Sequence, residues 1–196
     1  MSVLQILSMV VMGVITNNII LSQTIGVCPF LGVSKKTDSA VGMGFAVTFV
    51  LLLASLVCYV IYYYLLVPFE MEYLQTISFI LIIAVLVQIL DIVLKKLSPG
   101  LYNSLGVYLA LITTNCAVLG TANNVINNSL SVVATMIHSV SVGLGFTLAL
   151  VLMAGIRERI EQSPNVPKCF KGLPIALISA ALMALAFAGF AGFEIV

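Results

Sequence analysis

The sequence predicts an all-α integral membrane protein of six transmembrane helices, arranged as two inverted three-helix repeats with broken helices near the midplane. Three observations carry this expectation: an excess of apolar residues, a strict alternation of basic connections, and a pair of motifs that recur in the same order. The chain has 196 residues, 62% hydrophobic and only 8% charged. Ordinary soluble chains are about half apolar and a quarter charged, so a water-soluble core of this size cannot absorb that much apolar surface. The net charge of +1 offers no clustered basic face for phosphate, which excludes a nucleic-acid partner. The lipid bilayer is the expected surrounding.

Charges divide the chain into six apolar segments, at about 3–26, 40–66, 73–93, 101–120, 131–155 and 173–193. Each is near or above the roughly 20 residues needed to cross about 30 Å of hydrocarbon. The first segment has no basic start or small-residue cleavage site and is expected to stay in the mature protein. Pro68 and Pro99 suit helix boundaries, where a missing backbone donor is least costly. The fourth and fifth segments are joined by an Asn-rich stretch read as a turn from Asn123 to Asn128. Arg157-Glu158-Arg159-Ile160-Glu161 reads as an extension of the fifth helix into water, its mixed charge on a solvated face.

All eight Lys and Arg residues fall in the first, third and fifth connections. The positive-inside rule then sets the Lys35, Lys96 and Arg157 loops in the cytoplasm and both termini, with the Glu70 and Asn127 loops, outside. A multi-pass protein of the bacterial cytoplasmic (inner) membrane is expected.

Val41-Gly42-Met43-Gly44-Phe45 recurs as Val142-Gly143-Leu144-Gly145-Phe146, and the Cys-x-x-Leu-Gly pattern of Cys28 to Gly32 recurs from Cys116 to Gly120. The halves read as copies within one membrane domain over residues 1–196, the first about 1–96 and the second about 97–196. Three spans per half invert the second copy, and inverted repeats place their sites near the midplane where interrupted helices meet. The glycines read as close-packing points between helices. A nucleotide-binding role does not fit glycines inside apolar helices.

Cys28 precedes Pro29 between Gly26 and Gly32, so the first span is expected to break or re-enter at that point. Cys116 follows Ile112-Thr113-Thr114-Asn115, whose polar side chains can satisfy backbone freed by a break. Three readings stay open for this pair of thiols: small core residues, a disulfide, or two thiolate ligands of a metal site that takes four. Cys58, mid-span without a polar neighbour, and Cys169, in the longest loop, read as structural.

Asp91 lies one turn before Lys95, an i,i+4 pair in the favoured order, and is also an ion-path candidate as an acid at membrane depth. Asn17, Asn18 and Gln23 have the chemistry to bind a cation or to cap broken backbone, and Asn115 joins Asn17 and Asn18 as an ion-path candidate. His138 reads as an interhelical hydrogen-bonding residue or as a ligand.

Cys28-Pro29-Phe30-Leu31-Gly32-Val33-Ser34-Lys35-Lys36 and Leu111-Ile112-Thr113-Thr114-Asn115-Cys116-Ala117-Val118-Leu119-Gly120 resemble the signatures of a family: the A subunit of the Rnf complex and its relatives, the D and E subunits of the sodium-pumping NADH:quinone reductase. The likeness covers essentially the whole chain, including Ile156-Arg157-Glu158-Arg159, and Cys28-Pro29 with Thr113-Thr114-Asn115-Cys116 look closer to the Rnf A subunit. The Asn-rich loop departs most. The resemblance implies a ferredoxin:NAD oxidoreductase complex coupled to sodium or proton movement, in which this chain pairs with the homologous Rnf E subunit of opposite orientation. Cys28 and Cys116 would hold the iron of a [2Fe-2S] cluster with two further cysteines of that partner, relaying electrons across the membrane. Other subunits (B, C, D and G) complete the assembly. The chain has no flavin-attachment Ser-Gly-Ala-Thr, dinucleotide fingerprint or ferredoxin cysteine run, so flavin and NAD are expected on other chains, and no complete active site in this one. The rival reading is an inverted-repeat secondary transporter or ion channel subunit without a redox cofactor.

Overall fold

The computed structural model describes residues 3–34, 37–69, 72–97, 111–112, 115–162, 167 and 170–190. Among them the backbone is helical, with turns and no strand. The helices are α1 (Val3–Val11), α2 (Val27–Val33), α3 (Thr37–Ile61), α4 (Gln75–Leu97), α5 (Cys116–Asn127), α6 (Val132–Glu161) and α7 (Leu173–Ala188). Lys35, Lys36, Glu70, Pro99, most of the fourth expected span, Thr113, Thr114, Lys168 and Cys169 lie outside the described residues.

Among the described residues three helical stretches are long and apolar enough to cross a bilayer: Thr37–Leu66, Gln75–Val93 and Val132–Glu161. They correspond to the second, third and fifth expected spans. At 1.5 Å per residue α6 is about 45 Å long, so it outruns the hydrocarbon layer. The first expected span is not one helix. It runs through α1 and a π-helical turn at Met12–Thr16, unwinds from Asn17 to Gly26, and resumes as α2.

The core is built on α3 and α6, which cross antiparallel. A Cβ added to Gly44 would lie 2.5 Å from Thr147, and one added to Gly143 would lie 2.6 Å from Thr48. Each threonine hydroxyl donates to the carbonyl one turn back, Thr48 to Gly44 at 2.7 Å and Thr147 to Gly143 at 2.8 Å. That bond satisfies the hydroxyl inside an apolar layer, and the side chain then lies over the glycine opposite. Between the same helices the hydroxyls of Ser55 and Ser139 meet at 2.6 Å.

This seam corrects the register read from the glycine motifs. Those motifs align Gly42 with Gly143, whereas in the packing Gly44 and Gly143 play matching parts, as do Thr48 and Thr147. In the second register the buried residues Ala40, Met43, Val47, Val50, Leu51, Ala54 and Ser55 fall on Ser139, Val142, Phe146, Ala149, Leu150, Met153 and Ala154, all buried as well. Gly42 itself faces open space. Burial sets the register, because a helix can only repeat a packing face and not a string of letters.

The outer parts of α4 and α7 leave Ile77, Leu81, Ile92, Leu177, Leu182 and Leu185 exposed, as lipid- or subunit-facing surfaces require. Aromatic side chains gather where α3 ends and α4 begins. Tyr64 and Tyr73 are exposed, the tilted rings of Tyr59 and Tyr63 lie 4.6 Å apart, and Tyr62 meets Phe79 edge-on at 6.4 Å. Such a cluster fits the headgroup level of a membrane.

Candidate metal centre

The unwound stretch before α2 is held from inside the fold. Asn18 is fully buried, and all its hydrogen-bonding capacity is used. Its Nδ2 donates to the carbonyls of Val14 at 3.0 Å and Gly145 at 2.8 Å, and its Oδ1 accepts from the amides of Ile20 at 3.1 Å and Leu21 at 3.4 Å. Of the two uses open to Asn18, the geometry shows capping of broken backbone. Just before it, the Ser141 hydroxyl donates to the carbonyls of Met9 and Val10, and Gly13 packs against Ser141 too closely for a side chain.

The chain re-enters a helix at Gly26, whose φ of 87° is a left-handed conformation that glycine adopts without strain. Cys28 and Pro29 then lie in the first turn of α2. Of the two outcomes expected at this point, a break or a re-entry, the structure shows re-entry, and the unwound stretch precedes Pro29. A first-turn proline removes a donor that has no intrahelical acceptor anyway. Cys28 is exposed and carries a free thiol.

The second thiol sits at a tighter start. Asn115 caps α5, its Oδ1 accepting from the Ala117 amide at 3.0 Å, and Cys116 opens the helix, exposed and likewise free. The Asn-rich stretch is not a turn throughout, because α5 continues to Asn127 and the turn follows. The two starts abut. A Cβ on Gly26 would come within 3.1 Å of Ala117 Cβ, 3.2 Å of Phe146 and 3.4 Å of Asn115 Oδ1. Gly26 is two residues from Cys28, and Asn115 and Ala117 flank Cys116.

Exposure separates these thiols from Cys58, which is fully buried in the core of α3. Plain core packing does not describe Cys28 or Cys116, and they are not joined to each other. Among the described residues no group of three or more His, Cys, Asp or Glu side chains forms that could hold a metal ion. As donors, two exposed free thiols on adjoining helix starts would fit half of a tetrathiolate set.

Two residues of α6 brace α2 and α3. The Arg157 guanidinium donates to the Leu31 carbonyl at 2.7 Å and the Ser34 hydroxyl at 3.0 Å. The Glu158 carboxylate accepts from the backbone amide and the hydroxyl of Thr37, at 2.9 and 3.0 Å, and so caps α3. Both are half-buried, whereas Arg159 and Glu161 are exposed. Only the latter two occupy the solvated face expected for the whole cluster. Nothing in the run of letters marks Arg157 as a brace, since its acceptors are a carbonyl and a serine more than a hundred residues away.

The remaining polar candidates lie apart from the thiols. Asp91 is half-buried on α4. Asn17 and Gln23 are exposed at a cavity of about 700 Å³ between the first stretch and the turn after α5, where His138 also lies. The His138 Nε2 is buried without a hydrogen-bond partner, so the interhelical bond expected of it is not made by that atom.

These features define a polytopic helical membrane protein that presents two free thiols from helix starts. Residues 6–194 match the model of the Rnf-Nqr subunit, membrane protein family. The chain is 57% identical over 183 residues to the A subunit of the Na(+)-translocating ferredoxin:NAD(+) oxidoreductase complex of Acetobacterium woodii, covering 93% of this chain and 95% of the relative. It is 53% identical over 180 residues to the A subunit of the ion-translocating oxidoreductase complex of Syntrophotalea carbinolica, covering 92% and 93%. The Azoarcus protein of that same description is 51% identical over 178 residues, covering 91% and 92%. The chain belongs to the Rnf-Nqr family of membrane subunits.

Proposed function

We propose that this chain is the A-type membrane component of an ion-translocating ferredoxin:NAD oxidoreductase complex, and that Cys28 and Cys116 are two of the four ligands of a [2Fe-2S] cluster shared with the homologous E subunit. The observation that carries this reading is the pair of exposed, free thiols on adjoining helix starts. A chain of this composition places cysteines in its apolar core by default, as it does Cys58. Two thiolates leave the iron pair half-ligated, and a homologous subunit facing the same surface completes the set. When bound, the cluster supplies a one-electron relay at membrane depth. The residues of this chain hold it: Gly26 lets α2 start against α5, Asn115 caps the start that carries Cys116, and Arg157 ties down the far end of α2.

Two features support an inverted repeat. The Gly44–Thr147 and Gly143–Thr48 contacts are reciprocal, as a twofold axis in the membrane plane requires, and the burial of α3 superposes on that of α6. On this reading the termini face outward in the bacterial inner membrane, and Asp91 and Asn17 are the side chains to examine for the coupled ion, since the oxygens of Asn18 and Asn115 are taken by backbone amides. The test is purification of the chain with its homologous partner, followed by iron analysis and low-temperature electron paramagnetic resonance of the reduced sample. Cys28→Ser and Cys116→Ser should each abolish the signal without unfolding the protein. Iron at full stoichiometry in the double variant refutes the assignment.

A further inference from the structure

We infer that the Asn115 side-chain amide donates a hydrogen bond to sulfur of the metal centre held by Cys28 and Cys116, and so sets its reduction potential. The inference rests on the cluster reading above and adds a residue to it. Asn115 is 4% exposed. Its Oδ1 is used, accepting from Ala117, but its Nδ2 is buried and has no hydrogen-bond partner. A buried donor left unpaired forfeits its hydration for nothing, and folded proteins rarely carry one without a reason. The contrast with Asn18 is direct, since that amide spends all its capacity on backbone. Capping does not account for the surplus either. Ser or Asp caps a helix as well as Asn does, and neither has an NH₂ group to strand.

Position supplies the acceptor. The Asn115 side chain reaches the place where the two cysteine-bearing starts touch, its Oδ1 facing Gly26 and bonded to the Ala117 amide, and it immediately precedes Cys116. Thiolate and bridging sulfide are the electron-rich atoms brought to that place when the centre is assembled. A donor to cluster sulfur stabilises the extra negative charge of the reduced form, which raises the potential. Asn115 is thus a positioning residue for α5 through its oxygen and a tuning residue through its nitrogen.

The experiment compares wild type, Asn115→Ser, Asn115→Asp and Asn115→Ala, each purified with the homologous partner. Iron per pair, helix content and the midpoint of the reduced-cluster resonance in a redox titration are measured. Asn115→Ser and Asn115→Asp keep the cap and remove the donor. Both should retain iron and helix content and titrate at a lower potential than wild type, with Asp lowest because it adds negative charge. Unchanged midpoints in both, with iron retained, overturn the inference while leaving the cluster reading intact. A shift confined to Asn115→Ala also overturns it, because the effect then follows the cap and not the amide. A wild-type pair without iron sinks the cluster reading and this inference with it.

Discussion

The two stretches that deliver Cys28 and Cys116 solve one problem by opposite means. Before Cys28 the chain unwinds from Asn17 to Gly26 and depends on α6 for its partners: Asn18 bonds Gly145, Ser141 bonds Met9 and Val10, and Phe146 packs at Gly26. At Cys116 the cap is local, Asn115 satisfying the new helix at its own first turn. The first start is fixed by tertiary structure and the second by local sequence. Damage to α6 should therefore displace Cys28 far more than Cys116.

The largest expected effect is that of Gly145→Ala. Its Cβ would meet the Gly13 carbonyl oxygen at 2.6 Å, and a backbone atom cannot rotate away. A loss of about 3 kcal/mol is expected from overpacking, read as a lowered unfolding midpoint in detergent. Cys28 should become more reactive to a thiol probe and Cys116 should not. Equal changes at both cysteines would erase the distinction between the two starts.

Asn18→Ala comes next. It leaves two carbonyls and two amides short of a partner beneath the surface, for about 2 kcal/mol, and should loosen the first stretch while α5 keeps its protection from hydrogen exchange. Arg157→Ala removes bonds to Leu31 and Ser34. Its expected cost is about 1.5 kcal/mol, since charge-assisted bonds exceed neutral ones, and proteolysis near residue 34 should accelerate. Asn115→Ala is the mildest, about 1 kcal/mol for a lost N-cap. Its signature is faster amide exchange confined to the first turn of α5, and spread of that exchange into α2 would show the second start to be less self-sufficient than its geometry indicates.

The same contrast divides what is legible in the sequence from what is not. Hydropathy locates the second, third and fifth spans because a long apolar run has few alternatives in a bilayer. Asn115 is readable next to Cys116 because capping is local. Gly26 and Pro29 mark where the chain re-enters a helix, whereas the unwound stretch before it is held by Asn18 reaching a carbonyl 127 residues away, which no local pattern shows. The matching glycine letters lie two residues away from the matching contacts, because Gly44 and Gly143 meet Thr147 and Thr48 across the seam, and those threonines carry no mark in the sequence. Cys28 and Cys116 stand out as a matched pair. Their exposure, the property that separates them from Cys58, belongs to the folded surface and not to the sequence.

The grip of α6 on the first stretch comes from Ser141, Gly145 and Phe146, within two turns of a single helix. Each residue step along an α-helix rotates by about 100°. A slip of α6 by one position would turn all three grips away together and leave no intermediate setting in which Cys28 is partly seated. The spacing of the two sulfurs is thereby kept like a keyed shaft, engaged in one orientation and free in the others, and the thiol on the surface reports the rotation of a helix to which it is not attached.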